Sequence, residues 1–167
     1  PTLKPWEREL LRIVRKIAQY FYPQMQTQVM NEGTASFVHH YMMNRLNDDG
    51  YISNGSYLEF IRSHAGVLYQ RPSAAFNPYY LGFEMLHDIK RICENPTAED
   101  RAWFPNLIGA TFVDVFQDAI RNYRDESFIR QFLSPHLMRK LQMFTIHDDT
   151  KANAYLIKDI QDDLGYK

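Results

Sequence analysis

Apolar positions near the start of the chain recur at spacings of three and four. Trp6, Leu10, Ile13, Val14, Ile17 and Phe21 therefore share one face of a helix, with Arg8, Arg12, Arg15 and Gln19 pointing away. Pro5 suits the first helical turn, and Pro23 is expected to stop the helix. A second helix is predicted from about Met30–Asn31 to Asn47, before the turn signal Asp48–Asp49–Gly50. Ser56 followed by Glu59 has capping-box spacing and starts a third helix that carries Phe60, Ile61 and His64. Asn77–Pro78 opens a fourth through Leu81, Met85, Ile89 and Ile92. Thr97 caps a short helix that Pro105 ends, and Thr111 caps one with Phe112, Phe116, Ala119 and Tyr123 on one face. Asp125–Ser127 and Ser134–Pro135 begin the last two.

The tail changes period. Gln142–His147 and Ala154–Ile160 are short and β-leaning, separated by Asp148–Asp149 and a polar loop, and are expected to pair as a hairpin. A lone hairpin is marginal in water, so this one should pack on the helices or begin a further domain. The expected fold class is mainly α: a single helical domain of about seven short helices over residues 1–141, with a small C-terminal β-hairpin or the start of a truncated extension over 142–167.

Composition narrows the function classes. The chain has 167 residues, 19 basic against 20 acidic side chains and a net charge of -1, which excludes a generically basic nucleic-acid binder. No apolar run approaches the roughly 18 residues of a membrane span. The one cysteine, Cys93, can form no internal disulfide and fits a reducing compartment, so a cytoplasmic location is expected. Lys90 and Arg91 beside it would lower its pKa, but an inert, buried thiol is the favoured reading. The chain opens at Pro1 without an initiator methionine, and its first apolar stretch is interleaved with Arg12, Arg15 and Lys16, unlike a signal peptide. Both features suggest a piece of a longer protein. Cutting such a piece free exposes apolar surface, so self-association is expected.

The stretch Asn31-Glu32-Gly33-Thr34-Ala35-Ser36-Phe37-Val38-His39-His40 carries the candidate chemistry. Glu32, Ser36 and His39 are four and then three residues apart and form one polar seam. An ionised carboxylate on a buried seam is costly unless a cation, a metal or several donors neutralise it. Gly33 weakens the helix, which suggests that another backbone or a ligand comes close there. The structural alternative is that Glu32 favours the positive end of the helix dipole, that His39 is a satisfied core histidine and that His40 faces solvent. Glu32 and His39 are about 10 Å apart along the helix, which casts His39 as a support to a ligand rather than a ligand. His64 sits near its own helix end, where a protonated imidazole is equally well explained by the dipole. Glu59 is accounted for by the capping box, and His87, Asp88, His136 and His147 are read as surface or chain-end residues.

Two resemblances sharpen this. Asn31-Glu32-Gly33 with Ala35-Ser36 resembles the Asn-Glu-Gly-x-Ala-Ser segment of gluzincin aminopeptidases, in which the glutamate is the third zinc ligand after a His-Glu-x-x-His helix; no such helix motif occurs here. A broader resemblance spans nearly the whole chain. Pro5-Trp6-Glu7-Arg8-Glu9-Leu10-Leu11-Arg12-Ile13-Val14-Arg15-Lys16, Tyr20-Phe21-Tyr22-Pro23-Gln24 and Gln28-Val29-Met30-Asn31-Glu32-Gly33 are similar to the SpoVR family. So are Asn77-Pro78-Tyr79, Asp88-Ile89-Lys90-Arg91-Ile92-Cys93, Trp103-Phe104-Pro105 and the run from Asp125 to Pro135. The sequence departs from the family where Thr34 and Val38 stand in place of aromatic residues, and in a shorter loop before Asn77.

The resemblance implies a link to spore cortex formation and stress signalling, and a PrkA-type serine protein kinase system as partner. It also implies missing domains of the parent chain, including an upstream His-x-x-x-His-like motif. Joined to the aminopeptidase likeness, it implies a zincin-like metal-dependent hydrolase. Glu32 and His64 would then be ligands to zinc or another divalent metal, supported by Asn31, Ser36 and His39, with the other ligands upstream. The alternative it leaves open is a non-catalytic interaction module.

Overall fold

Helix starts in this chain are set by prolines and by short polar side chains that accept the first free amides. The computed structural model describes residues 3–71, 74–143, 145–149, 151 and 154–158. Among these, eight α-helices follow one another: α1 (Pro5–Met25), α2 (Gln28–Asp48), α3 (Asn54–Leu68), α4 (Pro78–Glu94), α5 (Ala98–Trp103), α6 (Phe112–Asn122), α7 (Asp125–Phe132) and α8 (Pro135–Lys140). A single 3-10 turn, Pro105–Leu107, links α5 to α6. Four expected caps form. Asn77 Oδ1 accepts from Tyr79 N at 3.0 Å, Thr97 Oγ from Asp100 N at 3.1 Å, Thr111 Oγ from Asp114 N at 3.2 Å and Ser134 Oγ from Leu137 N at 3.0 Å.

Two starts and stops differ from the sequence expectation. Pro23 does not end α1, which continues to Met25. A proline this close to the end removes one intrahelical bond only, and the last turn closes on its carbonyl, which accepts from Gln26 N at 3.2 Å and from Thr27 Oγ at 3.2 Å. The cap of α3 is Ser53 rather than Ser56: Ser53 Oγ accepts from Ser56 N at 3.1 Å. Glu59 therefore lies inside the helix and is exposed.

The core is built around α4. Met85, Ile89 and Ile92 are fully buried, with Leu81 and Leu86 nearly so, and α6, α7 and α8 bring Val115, Ala119, Phe128, Phe132 and Leu137 against them. At the α2–α4 crossing the two backbones touch at Gly33 and Gly82; a methyl on Gly82 would stand 2.6 Å from the Gly33 Cα. A charged network ties the far end of α4 to α5 and α8. Arg91 grips Asp100 with two bonds of 2.6 and 2.9 Å and Asp88 with one of 2.8 Å, while Ser134 Oγ donates to Asp88 at 2.5 Å. Asp88, expected at the surface, is buried by this network.

Helix α1 contributes nothing to that core: none of its residues is buried. The fold class is corrected accordingly. Over the described residues up to 143 this is an all-α unit of eight helices, not of about seven short ones, and α1 and α2 each reach 21 residues. Helix α2 starts two residues before the expected Met30, where Asp125 accepts from Val29 N and Met30 N, and ends one residue past the expected Asn47. Beyond the core, the backbones of β1 (Thr145–Asp149) and β2 (Ala154–Lys158) run antiparallel as a two-stranded ladder that no third strand among the described residues extends. The expected strand end at Ile160 lies outside the described residues. No helix among them is long and apolar enough to cross a membrane.

Candidate functional site

The Gly33–Gly82 contact fixes what faces what along α2 and α4. It sets Glu32, half-buried, beside Tyr79 in the first turn of α4. The Tyr79 phenol is held above its ordinary pKa chiefly by its hydrogen bond with the Glu32 carboxylate and by that carboxylate's charge. The dipole reading of Glu32 fails, because α2 starts at Gln28 and has no acid in its first turn. The carboxylate that serves the positive end of α2 is Asp125, on α7. It accepts from Val29 N at 2.9 Å and Met30 N at 3.0 Å, and Thr27 makes no side-chain cap of its own. Among the neighbours expected to support Glu32, Ser36 is buried and Asn31 is exposed, its amide donating to Thr27 Oγ at 3.0 Å.

Further along α2, the histidines exchange the roles expected of them. His39 is exposed and meets the edge of Phe60, with ring centroids 4.9 Å apart. His40 turns inward, since it follows Gly33 and Phe37 on the stripe that faces α4. It stacks on His64 of α3 at 5.4 Å and meets His87 of α4 edge-on at 5.7 Å. His64 lies 6.1 Å from His39. Phe83 touches all three inward imidazoles, at 5.4 Å from His40, 5.4 Å from His64 and 4.4 Å from His87.

Burial is the leading cause that pushes the pKa of His40, His64 and His87 below the ordinary value, and mutual repulsion adds to it for His64 and His87. At neutral pH these rings are therefore uncharged. His64 is buried, 8 % exposed, and its Nε2 has no hydrogen-bond partner among the described residues; the Nε2 of His87 is likewise buried and unpartnered among them. His40 is held from the other side by the Asn44 amide at 3.3 Å, and Asn44 in turn accepts from the Tyr57 hydroxyl. His87 was expected at the surface; its side chain instead packs at 4.9 Å against Phe37. The sequence signal that could have found it is the four-residue spacing of Tyr79, Phe83 and His87 along α4.

A neutral buried imidazole with a free ring nitrogen can accept a proton or a cation. Among the described residues no three His, Cys, Asp or Glu side chains converge closely enough to hold a metal ion. The Glu32 carboxylate and the free imidazole nitrogen of His64 are not brought together: His64 stacks on His40, eight residues and about 12 Å of helix rise beyond Glu32, so each can be a ligand only of a centre that other sequence completes. Cys93 stays apart from both. Burial, and after it the charge of Glu94, raises its thiol pKa, and the Arg91 guanidinium expected to lower it is committed to Asp88 and Asp100. It lines a groove of about 690 Å³ between α2, α4 and α6, with Phe37, Tyr41 and Phe112 among its walls.

Comparison with known proteins agrees with the motifs. No solved structure matches the chain. An Escherichia coli (strain K12) protein described as "Uncharacterized protein YcgB" is 49 % identical over 172 residues, which cover 100 % of this chain and 34 % of that protein. The chain thus spans about a third of the length of the curated relative it matches. The sequence model of the family described as "SpoVR like protein" matches residues 1–167, and the chain belongs to that family.

Proposed function

We propose that this chain supplies part of a divalent-metal centre in a zincin-like hydrolase, with Glu32 and His64 as its ligands. Ser36, His39 and Asn31 would support these ligands, and the remaining ones would come from sequence outside the third of the longer relative that this chain matches. The observation that supports this reading is His64. Its imidazole is kept neutral by burial and its Nε2 is buried without a partner, a costly state that a bound cation would relieve. Glu32 adds a negative charge that the Tyr79 phenol orients. Zinc or a similar ion, when bound, would polarise a water or a carbonyl oxygen.

The experiment is a measurement of metal content in the purified full-length protein, with and without Glu32→Ala and His64→Ala. Near-stoichiometric metal in the parent, falling about tenfold or more in each variant, is expected. Substoichiometric metal that neither change alters would remove the hydrolase reading. What would then stand is a non-catalytic module that works with a PrkA-type serine kinase system in the cytoplasm, in sporulation or stress signalling. The observation favouring that second reading is the wholly exposed apolar face of α1.

A further inference from the structure

The face of α1 has a regularity that its exposure alone does not explain. Trp6, Leu10, Ile13, Ile17 and Tyr20 alternate at spacings of four and three, the repeat that keeps one seam facing a partner helix. All five are between 46 and 66 % exposed, so nothing among the described residues fills the seam. At 21 residues the helix is about 31 Å long, enough for three heptads. Glu9 flanks the seam immediately before Leu10, and Lys16 holds the equivalent place before Ile17.

We infer that α1 is a self-pairing helix: two copies of the chain associate through an antiparallel α1–α1 coiled coil. The charges set the direction. In an antiparallel pair the positions that precede the first apolar position of each heptad face each other across the seam, so Glu9 of one copy meets Lys16 of the other, twice by symmetry. In a parallel pair the same two residues would face Val14 and Phe21, and no opposite charges would meet. The antiparallel register also matches sizes, with Trp6 against Ile17 of the second copy and Leu10 against Ile13. Glu9 is free to change partner, because its contact with Arg12 is an exposed i,i+3 pair at 2.8 Å. Arg8, Arg12 and Arg15 lie outside the seam, where they keep the paired helices soluble and set no register.

Sedimentation equilibrium of the 167-residue chain over a range of concentrations tests this, with circular dichroism confirming that each variant keeps its helix content. The chain is expected to dimerise. Ile13→Glu is expected to abolish the dimer, and Glu9→Lys or Lys16→Glu alone to weaken it about tenfold, while the double exchange restores it. A monomer at every concentration overturns the inference. So does a dimer that Ile13→Glu leaves intact, or single charge changes that the double exchange does not rescue. Binding of α1 to anionic phospholipid vesicles by a chain that stays monomeric also counts against it, since the face would then be a lipid-surface helix.

Discussion

His64 shows how much a single buried ring can report. Its stacked neighbour His40 and the more distant His87 share its environment, and burial lowers the pKa of all three. The consequence for stability has a definite sign. The folded state prefers the neutral rings, whereas in the unfolded chain each imidazole titrates near its ordinary value of 6.5. Below that value the unfolded state binds more protons, so stability is fully present above about pH 6.5 and is lost as pH falls through the lower folded pKa values. Urea midpoints are therefore expected to drop between about pH 7.5 and pH 5.5, and His64→Gln with His87→Gln should flatten that slope. A midpoint that does not move across this window would show that the rings are solvated in the folded protein. The carboxylate of Asp100, held far below its usual range chiefly by Arg91, contributes its own loss only in much stronger acid, so the two effects separate by pH.

The α2–α4 crossing is where elements, not single residues, decide the fold. Both contacting residues are glycines with negative φ inside helices, so the requirement is space and not conformation. A Cβ at Gly82 would overlap the Val29 carbonyl oxygen and the Gly33 Cα, both backbone atoms that no rotamer change can move aside. Gly82→Ala is expected to cost about 3 kcal/mol, read from chemical denaturation, because the helices must splay. A variant as stable as the parent would mean that the two backbones do not approach so closely. Gly33 is the part of this crossing that the sequence announced: a glycine in a helical run asks for a close neighbour. The caps at Asn77, Thr97, Thr111 and Ser134 were legible for the same local reason, since a cap is decided within three residues. The inward turn of His40, the burial of Asp88 and the service of Asp125 to a helix start 96 residues away were not, because each depends on a partner distant in sequence. The candidate site divides along the same line. Glu32 was singled out by its motif alone, whereas the imidazole cluster exists only once α2, α3 and α4 are brought together.

At the scale of the whole molecule, the helices fall into two classes by what they bury. Helices α2, α4, α6, α7 and α8 share one apolar cluster centred on α4, with Phe104, Leu107, Leu141 and Met143 completing it. Helix α1 buries nothing, and its large apolar side chains stay in solvent. Surface that is exposed before and after folding contributes little to the folding free energy, however apolar it is, because the hydrophobic effect counts area removed from water. Removing residues 1–22 should therefore leave the unfolding free energy of a monomeric chain within about 1 kcal/mol. The contacts that tie the start of α2 to α7 survive such a cut: Gln26 O accepts from Asp125 N at 2.9 Å, and the Gln26 side chain accepts from Arg124 at 2.9 Å. The shortened chain should keep cooperative urea unfolding and its near-ultraviolet circular dichroism, and it should lose concentration-dependent stability, since the energy of α1 is realised only between molecules. Loss of cooperative unfolding in the shortened chain would instead place α1 inside the folding unit. Its apolar stripe would then be a core face that packs against this domain, and the division of the chain into a packed body and an associating helix would fail.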